Sequence, residues 1–285
     1  MKTRNTFLLI TALVPITTFS AGYQTGNVTV RANGIDWTIR FLYETYADYT
    51  LGENALAEVF KEHPNNVYYS AIPVATEGVV TVPASFYYGH SSTTTRIGDY
   101  AFYACTSITE VKLPNAVSSI GVGAFNGCWN LKTVNIPTGV SKIENLTFHY
   151  CKSLQTISLP SGVKEIGDNA FAYCNSLKSI DIPDGATKIG YGVFQKCTAL
   201  KTVRIPTSVT SVGLSVFSGC SGLETVYLPS RFRSTVSKLE IPSGTSIIYL
   251  DDSPTLGVTS AYGTPTPAAG RSPGKRRSSC TDGTG

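Results

Sequence analysis

Apolar and polar positions repeat along residues 97–229 with a period of 23. One unit, written from Ile120, is IGVGAFNGCWNLKTVNIPTGVSK. Three residue types mark its phase in all six units: phenylalanine at 102, 125, 148, 171, 194 and 217, cysteine at 105, 128, 151, 174, 197 and 220, and proline at 114, 137, 160, 183, 206 and 229. One unit cannot bury its apolar face alone, so this period predicts stacked coils that share a continuous core.

Each unit contains two segments with the pattern of short strands. L-x-x-V-x-I alternates and ends at proline, which cannot donate the next ladder hydrogen bond. V-x-x-I-G is a second extended segment, and A-F-x-x-C is a single helical or 3₁₀ turn. The third unit departs at 143–146 (IENL), where the glycine and the alanine of the pattern are missing. We therefore expect a locally distorted third coil that keeps Phe148 and Cys151.

The repeat I-G-x-x-A-F-x-x-C-x-x-L-x-x-V-x-I-P-x-x-V-x-x resembles the BspA-like class of leucine-rich repeats, closely over residues 97–229 and less closely on the flanks. The resemblance implies a β-rich solenoid, a right-handed leucine-rich-repeat coil of 23-residue units with short strands and single helical turns. It also implies binding to extracellular host proteins or to other cells.

The N-terminus is typical of a secretory signal segment over residues 1–22. Lys2 and Arg4 precede an apolar run from Phe7 to Phe19, and small residues follow it. The run is shorter than the roughly 18 residues that a membrane-spanning helix needs. We expect an exported protein, secreted or at the cell surface, without a transmembrane segment in the mature chain.

The segments beside the array predict caps for its open ends. Residues 23–96 form the N-terminal capping region, in which 33–39 alternates as a strand, Trp37 fills the core and Val80–Pro83 is a degenerate first repeat. Residues 230–251 form the C-terminal cap, with a partial unit at 239–242 and a covering strand from Ser246 to Leu250. The Ser/Thr/Pro/Gly composition of residues 252–285 predicts a disordered tail.

The charge distribution argues against a nucleic-acid partner. The whole chain carries +4, but residues 1–20 contribute +2 and residues 252–285 contribute +2, which leaves the remainder close to neutral. A nucleic-acid-binding domain carries a basic patch on its folded surface. We expect no nucleic acid among the partners.

The cysteine pattern favours a ladder of small buried thiols. All six repeat cysteines take one position in the coil, so neighbouring Cβ atoms lie about one coil spacing, ~4.8 Å, apart. A disulfide prefers a Cβ separation of about 3.5–4.5 Å. Zinc sites use close pairs such as C-x-x-C, which the chain lacks. We expect neither disulfides nor a metal within the repeats.

The sequence offers no catalytic constellation and no cofactor motif. Its three histidines are His63, His90 and His149, and no metalloprotease, nucleophile-elbow or phosphate-loop motif includes any of them. We therefore predict a protein that is not an enzyme and has no cofactor.

The strand segment predicts an exposed binding face, because residues on either side of its central valine or isoleucine point away from the core. We define the strand face by two columns, one of which is nearly a threonine ladder and suits sheet stabilisation. The first column is Glu110, Thr133, Thr156, Ser179, Thr202 and Thr225; the second is Lys112, Asn135, Ser158, Asp181, Arg204 and Tyr227. The second column varies in charge and size. Such variation arises either because the column binds a partner or because surface residues change without effect on function.

Three functions remain open at this point. The first is adhesion through the strand face to an extracellular protein or glycan. The second is a structural spacer without a ligand of its own. The third is a glycan-acting enzyme, which needs two carboxylates about 5–10 Å apart in a cleft, whereas Asp181 is the one acid in its column.

Overall fold

A computed structural model describes residues 23–32, 34–44, 56–59, 75–88 and 90–251. The expectations for the signal segment, the tail and His63 lie outside these residues, as does the side chain of Trp37.

Among its described residues, the N-terminal part contributes six strands, which lead into the first repeat. They are β1 (Tyr23–Ala32), β2 (Ile35–Glu44), β3 (Leu56–Val59), β4 (Gly78–Thr81), β5 (Ser85–Tyr88) and β6 (His90–Ile97). β1 and β2 form an antiparallel hairpin, and β3 joins β2 to β6. β4 pairs in parallel with the first strand of the array and places Val80 opposite Val111. The segment ending at Pro83 thus begins a ladder that the repeats continue.

The array itself alternates between two kinds of short strand. Its elements are β7 (Ile108–Lys112), β8 (Ser119–Ile120), β9 (Thr133–Val134), β10 (Lys142–Ile143), β11 (Glu165–Ile166), β12 (Ser179–Asp181), β13 (Lys188–Ile189), β14 (Thr202–Arg204), β15 (Ser211–Val212), β16 (Thr225–Leu228), a 3₁₀ helix (Ser230–Leu239) and β17 (Ser246–Tyr249). The predicted solenoid of 23-residue coils is confirmed.

Equivalent residues of successive coils pair in parallel and in register. Ile180 lies opposite Val203 in one ladder, and Ile166 lies opposite Ile189 in the other. A third set of hydrogen bonds joins the A-F-x-x-C turns, such as Phe148 N to Ala170 O at 2.8 Å. Each of these turns is closed by bonds of 3₁₀ spacing, such as Cys105 N to Phe102 O at 3.2 Å. Backbone bonding therefore holds neighbouring coils together on three sides.

The core consists of columns of like side chains stacked coil upon coil. The six repeat phenylalanines are fully buried, and their rings stack with centroids 5.0–6.0 Å apart and planes 2–19° from parallel. The leucine of L-x-x-V and the isoleucine of I-G form parallel columns beside them. This arrangement follows from the period, because residues 23 positions apart occupy the same place in successive coils.

The third coil is irregular where its sequence departs from the pattern. β8 pairs with β6, whereas β10 begins a separate ladder with β11, so the I-G ladder is interrupted before Glu144. Thr147 replaces the usual alanine; it is fully buried, and its hydroxyl donates to Glu144 O at 2.8 Å. The other ladder is weakened nearby, where a single bridge joins Ser158 to Asp181. The expected local distortion is present, and Phe148 and Cys151 keep their places in the core.

The last coil is shorter than the others. Leu239 O accepts a hydrogen bond from Phe217 N at 2.9 Å, in the register of the preceding turns. Residues 239–242 therefore follow the turn side of the coil and do not repeat the V-x-I-P strand that their sequence suggests. Ser246–Tyr249 takes the strand place instead, with Ser246 opposite Thr225, 21 residues earlier. The 3₁₀ helix, which buries Phe232, covers the adjoining end of the core.

Candidate binding faces of the solenoid

The structure places the two predicted columns of the strand face on one side of the sheet. In β12, for example, Ile180 is buried between Ser179 and the exposed Asp181. Five members of the second column are exposed and one is half-buried; in the first column two are exposed and four are half-buried. The exposed members are Lys112, Asn135, Ser158, Asp181 and Arg204, with Thr133 and Thr156; the half-buried ones are Tyr227, Glu110, Ser179, Thr202 and Thr225.

Internal contacts occupy some of these side chains. The Asn135 amide oxygen accepts from Leu113 N at 2.7 Å, and its amide nitrogen donates to Leu113 O at 2.8 Å. The Asn135 side chain thereby takes the place of a backbone hydrogen-bonding partner between two coils. Arg204 pairs with Asp184 at 2.6 Å. Lys112 lies 3.6 Å from Glu110, and both side chains are well exposed. Their ion pair is therefore weak and leaves both side chains accessible to a partner.

A shallow depression lies at the N-terminal end of the strand face. Its volume is about 520 Å³, and it is lined by Glu110, Val111, Lys112, Thr133, Val134 and Asn135. Both columns contribute to it, with a cation and a carboxylate at the rim. The buried Val111 and Val134 form its apolar floor.

A second surface runs along the A-F-x-x-C turns. We define the turn face as the two residues before and the two residues after each repeat cysteine. In the second to fourth coils it holds several rings: Trp129 is 48% exposed, and Tyr150 stacks on Tyr173 with centroids 4.4 Å apart. Lys152 Nζ lies 4.1 Å from the centre of the Trp129 ring. Sequence reasoning missed this group, although all four residues are variable positions beside invariant cysteines.

His149 belongs to the same surface and is held in a neutral state. Its Nδ1 lies 3.3 Å from Asn126 Oδ1, and its ring packs edge-on against Tyr150, with centroids 4.3 Å apart. Partial burial lowers its pKa, because desolvation penalises the imidazolium. His149 therefore packs against the tyrosine rings and carries no positive charge at neutral pH.

The six repeat cysteines form one buried column. None of them is in a disulfide. Five thiols donate to the phenylalanine carbonyl of the preceding coil, at 2.9–3.2 Å: Cys128 to Phe102, Cys151 to Phe125, Cys174 to Phe148, Cys197 to Phe171 and Cys220 to Phe194. Burial raises the pKa of the Cys128, Cys151, Cys174 and Cys197 thiols well above the ordinary value and that of Cys220 to about 12.

These raised pKa values predict thiols that do not react while the chain is folded. The thiolate is the reactive form, and a raised folded-state pKa keeps the thiol protonated between pH 7 and about 9. Cys280 is the one cysteine outside the repeats. In a Cys280→Ser variant, we expect iodoacetamide to label the repeat cysteines only after denaturation in urea, as counted by intact mass. Labelling of the folded variant within minutes at pH 8 contradicts this expectation. Because unfolded thiols ionise first, stability should fall as the pH rises above about 9.

Two features are absent from the described ranges, a cluster of metal-ligating side chains and a helix that could span a membrane. There, His, Cys, Asp and Glu side chains do not gather in groups of three or more that could hold a metal ion. No helix within the same residues combines the length and hydropathy needed to cross a bilayer.

The stacked coils, their parallel ladders and their leucine and phenylalanine columns define a leucine-rich-repeat solenoid. The chain belongs to the BspA-type leucine-rich repeat family, whose model matches six copies over residues 89–197 and 144–239. The resemblance drawn from the repeat pattern is thereby confirmed. A search of the curated proteins gives no match.

Solved bacterial structures share this fold. A leucine-rich repeat protein of T. pallidum is 25% identical, with a TM-score of 0.50, over 72% of this chain and 96% of its own. A leucine-rich cell surface protein of Faecalibacterium prausnitzii is 29% identical, with a TM-score of 0.47, over 66% of this chain and 52% of its own. This chain thus spans about half the length of the second protein.

Proposed function

We propose that this chain is an exported adhesion protein whose strand face binds an extracellular protein. The observation that carries the proposal is the depression at Lys112 and Asn135, on a face whose second column varies while the scaffold beneath it repeats. Repeat solenoids bind partners through broad faces of this kind. The proposal assigns the chain no catalytic activity.

The electrostatic character of the strand face suits a partner with mixed charges. Lys112 is at one end, Asp181 lies in the middle, and none of the described residues forms an ion pair with Asp181. Opposite charges in one column fix the register of a bound protein more than they raise its affinity. A spacer without a ligand has no need for this arrangement.

A charge swap tests the strand face at constant net charge. We expect the double variant Lys112→Glu/Asp181→Lys to bind an immobilised matrix protein at least about tenfold more weakly than the original chain, because like charges facing each other across an interface cost several kcal/mol. Fibronectin, laminin and collagen are the probes, and the dissociation constant is measured by biolayer interferometry.

The matched control swaps an ion pair on the other ladder. Lys188 lies 4.0 Å from Glu165, and Glu165→Lys/Lys188→Glu keeps the pair and the net charge while leaving the strand face unaltered. We expect its affinity to equal that of the original chain. If none of the three probes binds saturably, or if both swaps weaken binding equally, the strand face is not the binding site and the spacer role is favoured.

A further inference from the structure

The turn face differs in composition from the rest of the array. It comprises 24 positions between residues 103 and 222, and none of them is aspartate, glutamate, leucine, isoleucine, valine or methionine. Its only Lys or Arg side chains are Lys152 and Lys196. The carboxylate of Glu240 reaches Ser218 at the C-terminal end, three coils from Lys152. The turn face is therefore polar, aromatic and free of carboxylates in its middle.

The aromatic residues form a continuous strip across the second to fourth coils. Lys152 Nζ lies 4.1 Å from the centre of the Trp129 ring and 5.9 Å from that of Tyr150. Tyr150 in turn stacks on Tyr173 with an interplanar angle of 21°. We call Trp129, Lys152, Tyr150 and Tyr173 the aromatic strip. The cation lies over an exposed ring face and forms no ion pair with a described carboxylate, so its charge is available to a ligand.

Both tyrosines of the aromatic strip occupy a backbone conformation that favours glycine. Tyr150 has φ 59° and Tyr173 has φ 62°. Two other coils place glycine at the same position, Gly127 with φ 79° and Gly219 with φ 70°. A side chain there is strained because its Cβ crowds the backbone. The fold accepts glycine at this position, so the backbone does not require the tyrosines.

We propose that the aromatic strip binds an acidic polysaccharide. The C–H bonds on the face of a sugar ring match the negative face of an aromatic ring, and a carboxylate or sulfate on the sugar pairs with Lys152. The turn face offers flat rings and hydrogen-bonding groups but no leucine, isoleucine, valine or methionine, and this composition suits the flat faces and hydroxyl groups of sugars. The missing carboxylates make the surface complementary to an anionic polymer. This site is separate from the strand face.

Binding of acidic and neutral glycans by the full chain tests the proposal. The probes are heparin oligosaccharides, which are sulfated, polygalacturonate oligosaccharides, which are carboxylated, and neutral cellohexaose, with affinity measured by calorimetry. We expect saturable binding to at least one acidic probe, and the preferred one identifies the anionic group. Trp129→Ala and Lys152→Gln should each weaken that binding by about tenfold, equivalent to 1.4 kcal/mol. Cellohexaose should bind at least tenfold more weakly.

Glycine variants separate recognition from a purely structural role. Tyr150→Gly/Tyr173→Gly installs the residue that Gly127 and Gly219 already provide. We expect its thermal unfolding midpoint to change by less than about 4 °C, while affinity for the acidic glycan falls by at least tenfold. If the tyrosines only hold the coils together, the midpoint falls and the glycan affinity of the remaining folded protein is unchanged, which overturns the proposal.

A lysine elsewhere on the same coil controls for diffuse charge. Lys164 is exposed on the proline turn of the third coil, away from the turn face. Lys164→Gln removes the same charge as Lys152→Gln, and we expect it to leave glycan affinity unchanged. Equal losses in the two variants, equal affinity for cellohexaose, or no saturable binding to either acidic probe would each overturn the proposal.

Discussion

Replacing Phe171 by alanine should lower the free energy of unfolding by about 3–5 kcal/mol, the usual cost of truncating a buried aromatic side chain. Phe171 is fully buried, and its ring stacks between Phe148 and Phe194, with centroids 5.4 and 6.0 Å away. The cavity cannot close easily, because three backbone ladders fix the coil spacing. Urea unfolding followed by circular dichroism measures the change.

The position of Phe171 makes its loss more severe than that of a surface ring. Tyr191, on the adjoining coil, is 44% exposed, and we expect Tyr191→Ala to change stability by no more than about 0.5 kcal/mol. Because each coil contacts only its neighbours, the Phe171→Ala chain should also exchange amide hydrogens faster on both sides of the fourth coil. Similar unfolding midpoints for the two variants would contradict the stacked core.

Replacing Gly190 by alanine should cost about 1–3 kcal/mol, as overpacking does elsewhere. A Cβ built at Gly190 lies 2.7 Å from Asp168 N and 2.8 Å from Gly167 C, both of them backbone atoms of the preceding coil. Backbone cannot rotate away as a side chain does, so the two coils must separate and weaken the ladder between β11 and β13. Thermal unfolding of the full chain measures the loss.

A second glycine provides the matched control for Gly190→Ala. A Cβ at Gly162 lies 3.6 Å from Thr138 O and 3.8 Å from Val140 O, which is ordinary contact, and its φ is outside the left-handed region. Gly162→Ala should therefore be neutral or stabilise the chain by up to about 1 kcal/mol. Equal losses of stability in the two variants would show that the close approach of the coils is not the reason why the I-G segment requires glycine.

The natural sequence already contains a related substitution at Glu144. Glu144 stands where the other repeats have glycine, and the I-G ladder is interrupted at this coil. The missing glycine in the sequence predicted this interruption correctly. The pattern also predicted the buried phenylalanine and cysteine columns, because a strict period fixes which side chains meet when like residues stack.

The features that the sequence did not predict depend on individual contacts between coils. The two hydrogen bonds between Asn135 and Leu113 and the ion pair between Arg204 and Asp184 join residues 20–22 positions apart. A 23-residue period relates only residues that are 23 positions apart, so it does not predict contacts at other sequence separations. The sequence did not predict the shortened last coil either. Residues 239–242 resemble the end of the repeat strand, but the last coil is two residues shorter than the others, so its strand begins at Ser246.

The aromatic strip was missed for another reason. Trp129 and Lys152 directly follow a repeat cysteine, whereas Tyr150 and Tyr173 directly precede one, so no single column of the aligned units displays all four. The positive φ of the two tyrosines is a property of the backbone that a sequence pattern does not reveal. Once the coils are stacked, the rings become neighbours.

The in-register pairing of the fourth, fifth and sixth coils makes molecular length an adjustable property. Duplicating a whole unit would extend the solenoid by about 4.8 Å and recreate every type of contact, since both new junctions match those already present. A duplication of any other size would misalign the phenylalanine column at its first junction. Genetic change in this chain is thus free to add or delete complete units between two terminal coils that must themselves stay the same.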